Sequence, residues 1–146
     1  MLQILLIAHL ILIAMGTGMA FSNFVNLRLA DGATGEAAKA FARQRMTIAR
    51  FADMVIGLIW ITGLALLWTR AAGGLESASG WFYLKMAFVV LLTLCHGMAR
   101  ATGGRMARTG DMSLLGRMEL FVAGVWLSAL AAIIFAVLAF EVAVTG

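Results

Sequence analysis

Residues 2–25 read LQILLIAHLILIAMGTGMAFSNFV, a stretch that contains no charged side chain. An α-helix rises 1.5 Å per residue, so about 20 apolar residues cross the roughly 30 Å hydrocarbon core of a bilayer. Within that core every backbone N–H and C=O must be bonded inside the segment, and the α-helix meets this requirement. We therefore predict a first transmembrane helix over about residues 2–26.

Three further apolar runs follow, each long enough for one crossing, at about residues 49–70, 80–99 and 117–144. Hydrophobic residues make up 63% of the 146-residue chain and charged residues 12%, whereas soluble domains usually carry about 25% charged residues. The sequence predicts an all-α, polytopic membrane protein. It forms a single membrane domain, 1–146, built as a four-transmembrane-helix bundle.

The two long connections differ in composition. Residues 35–46 are rich in strong helix formers and are expected to extend the second helix outward from the membrane. Residues 101–110 are rich in glycine and arginine and are expected to form a flexible basic connector.

Basic residues are concentrated in two of the three connections, and only Arg70 falls in the other one. Because cytoplasmic loops carry an excess of Lys and Arg, we expect the first and third connections in the cytoplasm and both termini in the periplasm. Trp68 and Trp81 flank the second connection, as aromatic residues do at a membrane interface. This pattern favours a bacterial inner membrane. The nine basic residues are Arg28, Lys39, Arg43, Arg45, Arg50, Arg100, Arg105, Arg108 and Arg117.

The formal net charge of +4 does not indicate nucleic-acid binding, because the charges lie in short connections rather than on one basic face. The expected partner is the lipid bilayer, and a homo-oligomer or a larger membrane complex remains open. Cys95 is the only cysteine, which excludes an intramolecular disulfide and a CxxC metal site. The sequence contains none of the GxSxG, P-loop, GxGxxG or HExxH motifs of soluble enzymes.

Ionisable side chains within apolar runs are costly and are therefore candidates for function. Counting along the helices places His9 about 10 Å and Lys85 about 6 Å below the outer edge of the membrane. His96 lies roughly 22 Å down, near the opposite edge. The sequence thus predicts two polar clusters at different depths. The outer one contains His9, Lys85 and Glu141, and the inner one contains His96, Asp53 and Glu119, with Arg28, Arg50, Arg100 and Arg117 at the same face.

Each of these residues also has a structural interpretation. Lys85 can extend its amine to the headgroups, and the acidic residues lie near the ends of their runs. His9 lies well inside the first run without a basic neighbour, which favours a role as ligand or in proton transfer. The depths of His9 and His96 differ by about 12 Å, which disfavours joint ligation of one haem. A haem held by one histidine and another ligand is compatible with the spacing.

The stretch Gly80-Trp81-Phe82-Tyr83-Leu84-Lys85, followed after ten residues by His96-Gly97, resembles the third helix of the HemJ-type protoporphyrinogen IX oxidases. Those proteins read Gly-Trp-x-x-x-Lys, then an apolar run and a Tyr-His pair, and Cys95 stands here in place of the tyrosine. An early histidine in the first helix, here His9, and four compact spans also fit. The family's Trp-x-x-Gly and Pro-Arg are absent here, so the resemblance covers two of the four helices.

The resemblance implies a membrane oxidoreductase of porphyrin biosynthesis that binds haem b and removes six electrons from protoporphyrinogen IX. It makes His9 the axial ligand of the haem iron and places both His9 and Lys85 among the catalytic residues. The cofactor-binding residues are then His9, Lys85 and His96.

The alternative is a non-enzymatic membrane protein, either an accessory or assembly factor or a copper-handling protein. CopD-like copper-resistance domains share the general layout, and thioethers such as those of the ten methionines favour Cu(I). Met15 and Met19 lie one turn apart, but no external cluster of Met and His accompanies them, so they are interpreted as packing residues. A transporter is less favoured, because the chain lacks proline and four spans would have to dimerise to form a pathway.

Overall fold

The computed structural model describes the backbone of residues 2–70 and 80–145 and the side chains of residues 2–69 and 80–139. Nearly all of the described chain is helical, and these ranges contain no strand. All four long helices have the length and hydropathy to cross a membrane, which confirms the predicted four-helix membrane architecture. The helices are α1 (Leu2–Leu29), α2 (Gly35–Arg70), α3 (Gly80–Thr109) and α4 (Leu115–Thr145), with a 3-10 turn at Met112–Leu114 before α4.

Two helices extend well beyond the apolar runs that define them in the sequence. The 36 residues of α2 make it about 54 Å long, more than a bilayer core requires. Its first turns come from the segment that is rich in helix formers. α3 continues to Thr109, so residues 101–110 are not a flexible connector. Ala101, Met106 and Ala107 favour the helix, and the glycines Gly103 and Gly104 do not outweigh them.

Glycines with positive φ lie directly after α3 and in the turn that follows α1. Gly110 has φ +67°, and its N–H donates to the carbonyl oxygen of Met106 at 2.9 Å, as in a C-cap. Gly32, with φ +74°, lies in the short connection between α1 and α2. Residues with a Cβ rarely adopt this conformation, so these two positions fix where the chain reverses.

The helices pack in the spatial order α2–α1–α4–α3. α3 packs most extensively against α4, α1 packs against α2, and α1 also contacts α4. Two ends of this bundle can be named. At the basic end, α1 and α3 finish and α2 and α4 begin, whereas the tryptophan end carries Trp68 of α2 and Trp81 of α3. Leu27, Met118 and Val122 form the buried core cluster near the basic end.

Most large apolar side chains point away from this small core. Ile4, Ile61 and Leu120 are each more than 60% exposed within the chain. An outward-facing apolar surface of this extent fits a helical bundle whose surroundings are lipid acyl chains. The bilayer is therefore a partner of most of the molecule's surface.

Small residues let neighbouring helices approach closely, as Gly16 and Gly124 show. A Cβ added to Gly16 of α1 would lie 3.3 Å from Ile59 Cδ1 and 3.4 Å from Val55 Cγ1 of α2. A Cβ added to Gly124 of α4 would lie only 2.9 Å from Cys95 Sγ of α3. Close helix contacts at small residues are typical of membrane proteins, where packing rather than water drives association.

The remaining pair of neighbours, α2 and α3, meets differently. Within the described residues the backbones of α2 and α3 do not pack closely along their length. Hydrogen bonds and ion pairs between side chains join the two helices instead. Trp60 Nε1 donates to Thr93 Oγ1 at 3.1 Å, and Asp53 reaches two residues of α3. We call this interface the α2–α3 seam.

Candidate functional site

His9 is held against α2 by one short hydrogen bond. Its Nδ1 lies 2.7 Å from Thr62 Oγ1, and the two residues are half-buried at the same level of the bundle. The ring therefore points between the helices rather than into the surrounding acyl chains. An imidazole on α1 and a hydroxyl on α2 form the centre of the candidate site.

The hydrogen bonds of Thr62 assign the tautomer of His9. The Thr62 hydroxyl donates to the carbonyl oxygen of Leu58 at 2.7 Å, so its oxygen is left to accept a hydrogen bond. His9 then donates through Nδ1–H, and in the neutral ring Nε2 carries the free lone pair. A histidine whose second nitrogen is held by a hydrogen bond is the usual arrangement of a metal-binding imidazole.

Gly63 leaves room for the ring. A Cβ at this position would lie 3.2 Å from Cε1 of His9 and 3.8 Å from its Nε2. At these distances the imidazole packs directly against the Cα of Gly63, and a larger residue there would collide with it. Thr62 thus anchors the ring by a hydrogen bond, and Gly63 leaves the room that the ring itself occupies.

Lys85 of α3 lies within electrostatic range of His9. Its Nζ is 4.5 Å from the centroid of the Phe82 ring, in a cation–π contact one turn earlier on the same helix. Two of the three residues predicted for the outer cluster are thus electrostatically coupled. The side chain of Glu141, the third, lies outside the described residues, as does that of Arg70.

The inner cluster forms around Asp53. Its Oδ1 is 2.6 Å from His96 Nε2, and its Oδ2 is 3.2 Å from an Nη of Arg100. The His96 side chain is 15% exposed, whereas that of Asp53 is 45% exposed. A carboxylate that bridges a histidine and an arginine joins α2 to α3, which gives this cluster a structural role across the seam.

The other residues predicted for the inner cluster are not in this bridge. Arg28 lies over the ring of Phe24 at 5.6 Å, and Arg117 lines an open cleft between α3 and α4 together with Arg105. Within the described side chains, Glu119 makes no hydrogen bond or ion pair with Asp53 or its partners.

The two histidines are far apart in depth. Their partners on α2, Thr62 and Asp53, are nine residues apart, which is about 13 Å along the helix axis. Among the described side chains, no group of three or more His, Cys, Asp or Glu residues is close enough to hold a metal ion. A haem needs only one or two protein ligands, because the macrocycle supplies the others. His9 offers one such ligand at Nε2, so its donor chemistry fits a haem iron.

The sequence did not identify several residues that the structure places next to His9 or leaves with unbonded polar atoms. Thr62 and Gly63 lie in an apolar run and give no signal of their own, since threonine and glycine are common in membrane helices. Asn23, Asn26 and Arg45 were also missed, although each has a buried side-chain atom without a hydrogen-bond partner. Two asparagines one turn apart near the end of an apolar run are the signal that was available.

Comparison of the chain with protein-family models, with curated proteins and with solved structures found no match. The fold and the site geometry therefore define the class of protein: a small multi-pass membrane protein of four helices with a histidine inside the bundle. No family is assigned by these comparisons.

Proposed function

We propose that the chain is a haem-binding oxidoreductase of a bacterial inner membrane that acts on a tetrapyrrole, as the HemJ-type protoporphyrinogen IX oxidases do. One observation carries the proposal: His9 is fixed through Nδ1 by Thr62, which leaves Nε2 as the nitrogen with the free lone pair. This arrangement supports the proposal that His9 would hold the iron of a haem b through Nε2. The resemblance of the third helix supports the choice of substrate.

In this proposal, the residues of the chain bind and orient the porphyrinogen. Lys85 provides a positive charge near His9, suited to a propionate carboxylate of a tetrapyrrole or to proton transfer during its oxidation. Conversion of protoporphyrinogen IX to protoporphyrin IX removes six electrons and six protons from the substrate. The bound haem would supply a route for these electrons to an acceptor in the membrane.

Orientation is part of the proposal. The basic end, where α1 meets α2 and α3 meets α4, would lie in the cytoplasm by the excess of Lys and Arg there. Both termini would then be periplasmic, and the His9 site would lie in the periplasmic half of the bilayer. His96 would lie in the opposite half, joined to Asp53 and Arg100 rather than to the same haem.

Absorbance spectroscopy tests the haem proposal. The full chain, purified in detergent after haem-replete expression, is expected to show a Soret band. His9→Ala is expected to remove that band, and Thr62→Val to weaken haem affinity by about 10–100-fold because the imidazole loses the partner that orients it. Thr93→Val is the matched control, since Thr93 bonds Trp60 and lies away from His9.

Formation of fluorescent protoporphyrin IX from protoporphyrinogen IX tests the substrate. Activity should be lost in His9→Ala and reduced in Lys85→Met, which keeps the length of the side chain without its charge. A colourless preparation that gains no Soret band with added haemin would contradict the proposal. It would favour the alternative of a non-enzymatic accessory, assembly or copper-handling protein, in which His9 only bonds Thr62.

A further inference from the structure

A second candidate site lies at the basic end of the bundle, between the last turns of α3 and the first turns of α4. An open cleft of about 430 Å³ separates the two helices there, and we call it the α3–α4 cleft. It is remote from His9, whose partner Thr62 lies in the half of α2 toward Trp68. The lining residues are Met98, Ala101, Thr102 and Arg105 from α3, and Leu114, Arg117, Leu120 and Phe121 from α4 and the turn before it.

The packing of α3 on α4 shows which lining residues share a level. A Cβ at Gly124 would lie 2.9 Å from Cys95 Sγ, and one at Gly103 would lie 3.8 Å from Met118 Cε. Because the two helices are antiparallel, each step along α3 matches one step back along α4. The two arginines of the cleft therefore lie within about one helical turn of the same level.

The lining changes from charged to apolar along the cleft. Arg105 comes seven residues after Met98 on α3, which places it about 10 Å nearer the basic end. On α4, Arg117 precedes Leu120 and Phe121 by about one turn and is likewise nearer that end. The cleft thus has its positive charge at the outer end and apolar side chains toward the middle of the bundle. A phospholipid has the same distribution of headgroup and acyl chain.

Both arginines are exposed, and among the described side chains neither of them forms an ion pair. A guanidinium binds phosphate through charge-assisted hydrogen bonds, while its alkyl stem covers apolar surface. Asp111 lies within electrostatic range of Arg105, so replacing Arg105 would also affect the cap of the 3-10 turn. Arg117 is therefore the better residue to vary in a test of charge.

The depth of the arginines identifies the source of the anionic group. α3 begins at Gly80, and Arg105 comes about 37 Å along it, beyond the roughly 30 Å hydrocarbon core. Phospholipid headgroups occupy this depth, and basic pockets between transmembrane helices suit anionic ones. We propose that the α3–α4 cleft binds an anionic phospholipid of the phosphatidylglycerol type, with its headgroup phosphate at Arg105 and Arg117 and one acyl chain against the apolar lining.

Native mass spectrometry of the full chain in detergent tests this site with two lipids of equal acyl composition. Phosphatidylglycerol is expected to bind. Phosphatidylcholine has the same phosphate but no net charge and is expected to bind about tenfold more weakly, because each arginine near a headgroup favours a net negative one. Arg117→Gln should reduce binding of phosphatidylglycerol by about fivefold. Arg108→Gln is the matched control, since Arg108 is exposed on α3 and does not line the cleft.

A second pair of variants tests the place of the acyl chain without changing any charge. Ala101 is exposed and lines the cleft, so the phenyl group of Ala101→Phe should occupy the space of the chain and weaken binding of phosphatidylglycerol. Ala107→Phe is the control, because Ala107 is exposed on the same helix outside the cleft. All four replaced residues are exposed, so the variants are expected to fold.

Equal binding of the two lipids would overturn the proposal, and so would equal effects of Arg117→Gln and Arg108→Gln. If Ala101→Phe bound phosphatidylglycerol as tightly as Ala107→Phe does, no acyl chain would enter the cleft and the proposal would fail. Glycerol phosphate distinguishes a lipid from a free phosphate ester. Its failure to displace the lipid at equal concentration supports a lipid site, and binding as tight as that of the lipid overturns it.

Discussion

At the scale of single residues, uncharged side chains determine what a charged or titratable neighbour can do. The Thr62 hydroxyl donates its hydrogen bond to the backbone and can only accept one from His9, so Nδ1 is the donor nitrogen of the imidazole. Gly63 contributes by lacking a side chain, which lets the imidazole pack directly against α2. The depth of His9 was foreseeable by counting residues along the first apolar run, but these two partners were not, because nothing in the sequence reports which residues of α2 face α1.

Gly63→Ala should displace the His9 ring, because the new Cβ would lie 3.2 Å from Cε1. We expect lower haem occupancy and a destabilisation of about 1–3 kcal/mol from overpacking. Gly57→Ala on the same helix is the control, since its Cβ would meet nothing within 4 Å. That change should be neutral or slightly stabilising through helix propensity. Equal Soret absorbance in both variants would contradict the expectation.

Asp111 gives the chain a local dependence on pH. Its carboxylate caps the 3-10 turn before α4 and accepts the Ser113 N–H at 2.9 Å. Hydrogen bonds from Ser113, first from its side chain and then from its backbone, hold the pKa of this carboxyl below its usual value, and Arg105 contributes in the same direction. Because the folded-state pKa is depressed, the contribution to stability is present above about pH 4 and is lost as the pH falls through the folded-state value.

The carbon-13 chemical shift of the Asp111 carboxyl group, followed by NMR through an acid titration, measures this pKa. Asp111→Asn is the control, because asparagine still caps a helix but does not titrate in this range. The acid-induced loosening of the 3-10 turn before α4 should be absent in that variant. The same pH profile in both proteins would show that another group is responsible.

At the scale of the helices, hydropathy predicted all four spans but not their ends. The apolar runs stop where charges begin, whereas a helix stops only where the backbone cannot continue. α3 therefore runs through Gly103 and Gly104 to Gly110, whose positive φ closes it. The start of α2 was predictable because its first turns consist of strong helix formers. Close approaches such as that of Cys95 to Gly124 depend on the relative rotation of two helices, which no single run encodes.

The interface of α3 and α4 should be sensitive to size at Gly124. A Cβ at Gly124 would lie 2.9 Å from Cys95 Sγ, so Gly124→Ala is expected to cost about 1–3 kcal/mol of stability. Cys95→Ala in the same chain should restore much of the loss, because the obstructing sulfur is removed. Thermal unfolding in detergent of the two single variants and the double variant measures the coupling. Additive effects would show that the two residues do not compete for this space.

At the scale of the whole molecule, the bundle is a ring of four helices with three packed interfaces and one polar seam. The packed interfaces are made by small residues and apolar contacts, whereas α2 and α3 are joined through Trp60–Thr93 and through Asp53. Counting residues predicted that Asp53 reaches the level of His96, and the structure has them hydrogen-bonded. The sequence did not indicate that this bond would serve in place of close packing.

Asp53→Asn should weaken the seam, because the carboxylate bonds His96 and Arg100 at once. The side chains of Asp53 and Arg100 are each more than a third exposed, so the expected loss is modest, about 1 kcal/mol or less. A double-mutant cycle with Arg100→Gln, followed by thermal unfolding, isolates the contribution of the pair. Glu119→Gln is the control, as Glu119 takes no part in the bridge. A coupling energy indistinguishable from zero would show that Arg100 does not stabilise the seam through Asp53.

The polar seam has a practical consequence for purification. Hydrogen bonds strengthen where water is excluded and weaken where it enters, while the apolar and glycine contacts of the other interfaces depend less on local hydration. In a small micelle that admits water, α2 and α3 should therefore separate first, while the α1–α2 and α3–α4 hairpins stay intact. Detergents or nanodiscs that exclude water from around the protein are expected to preserve the α2–α3 seam. Detergents that admit water are expected to give a form in which α2 and α3 are separated but the helix content is unchanged.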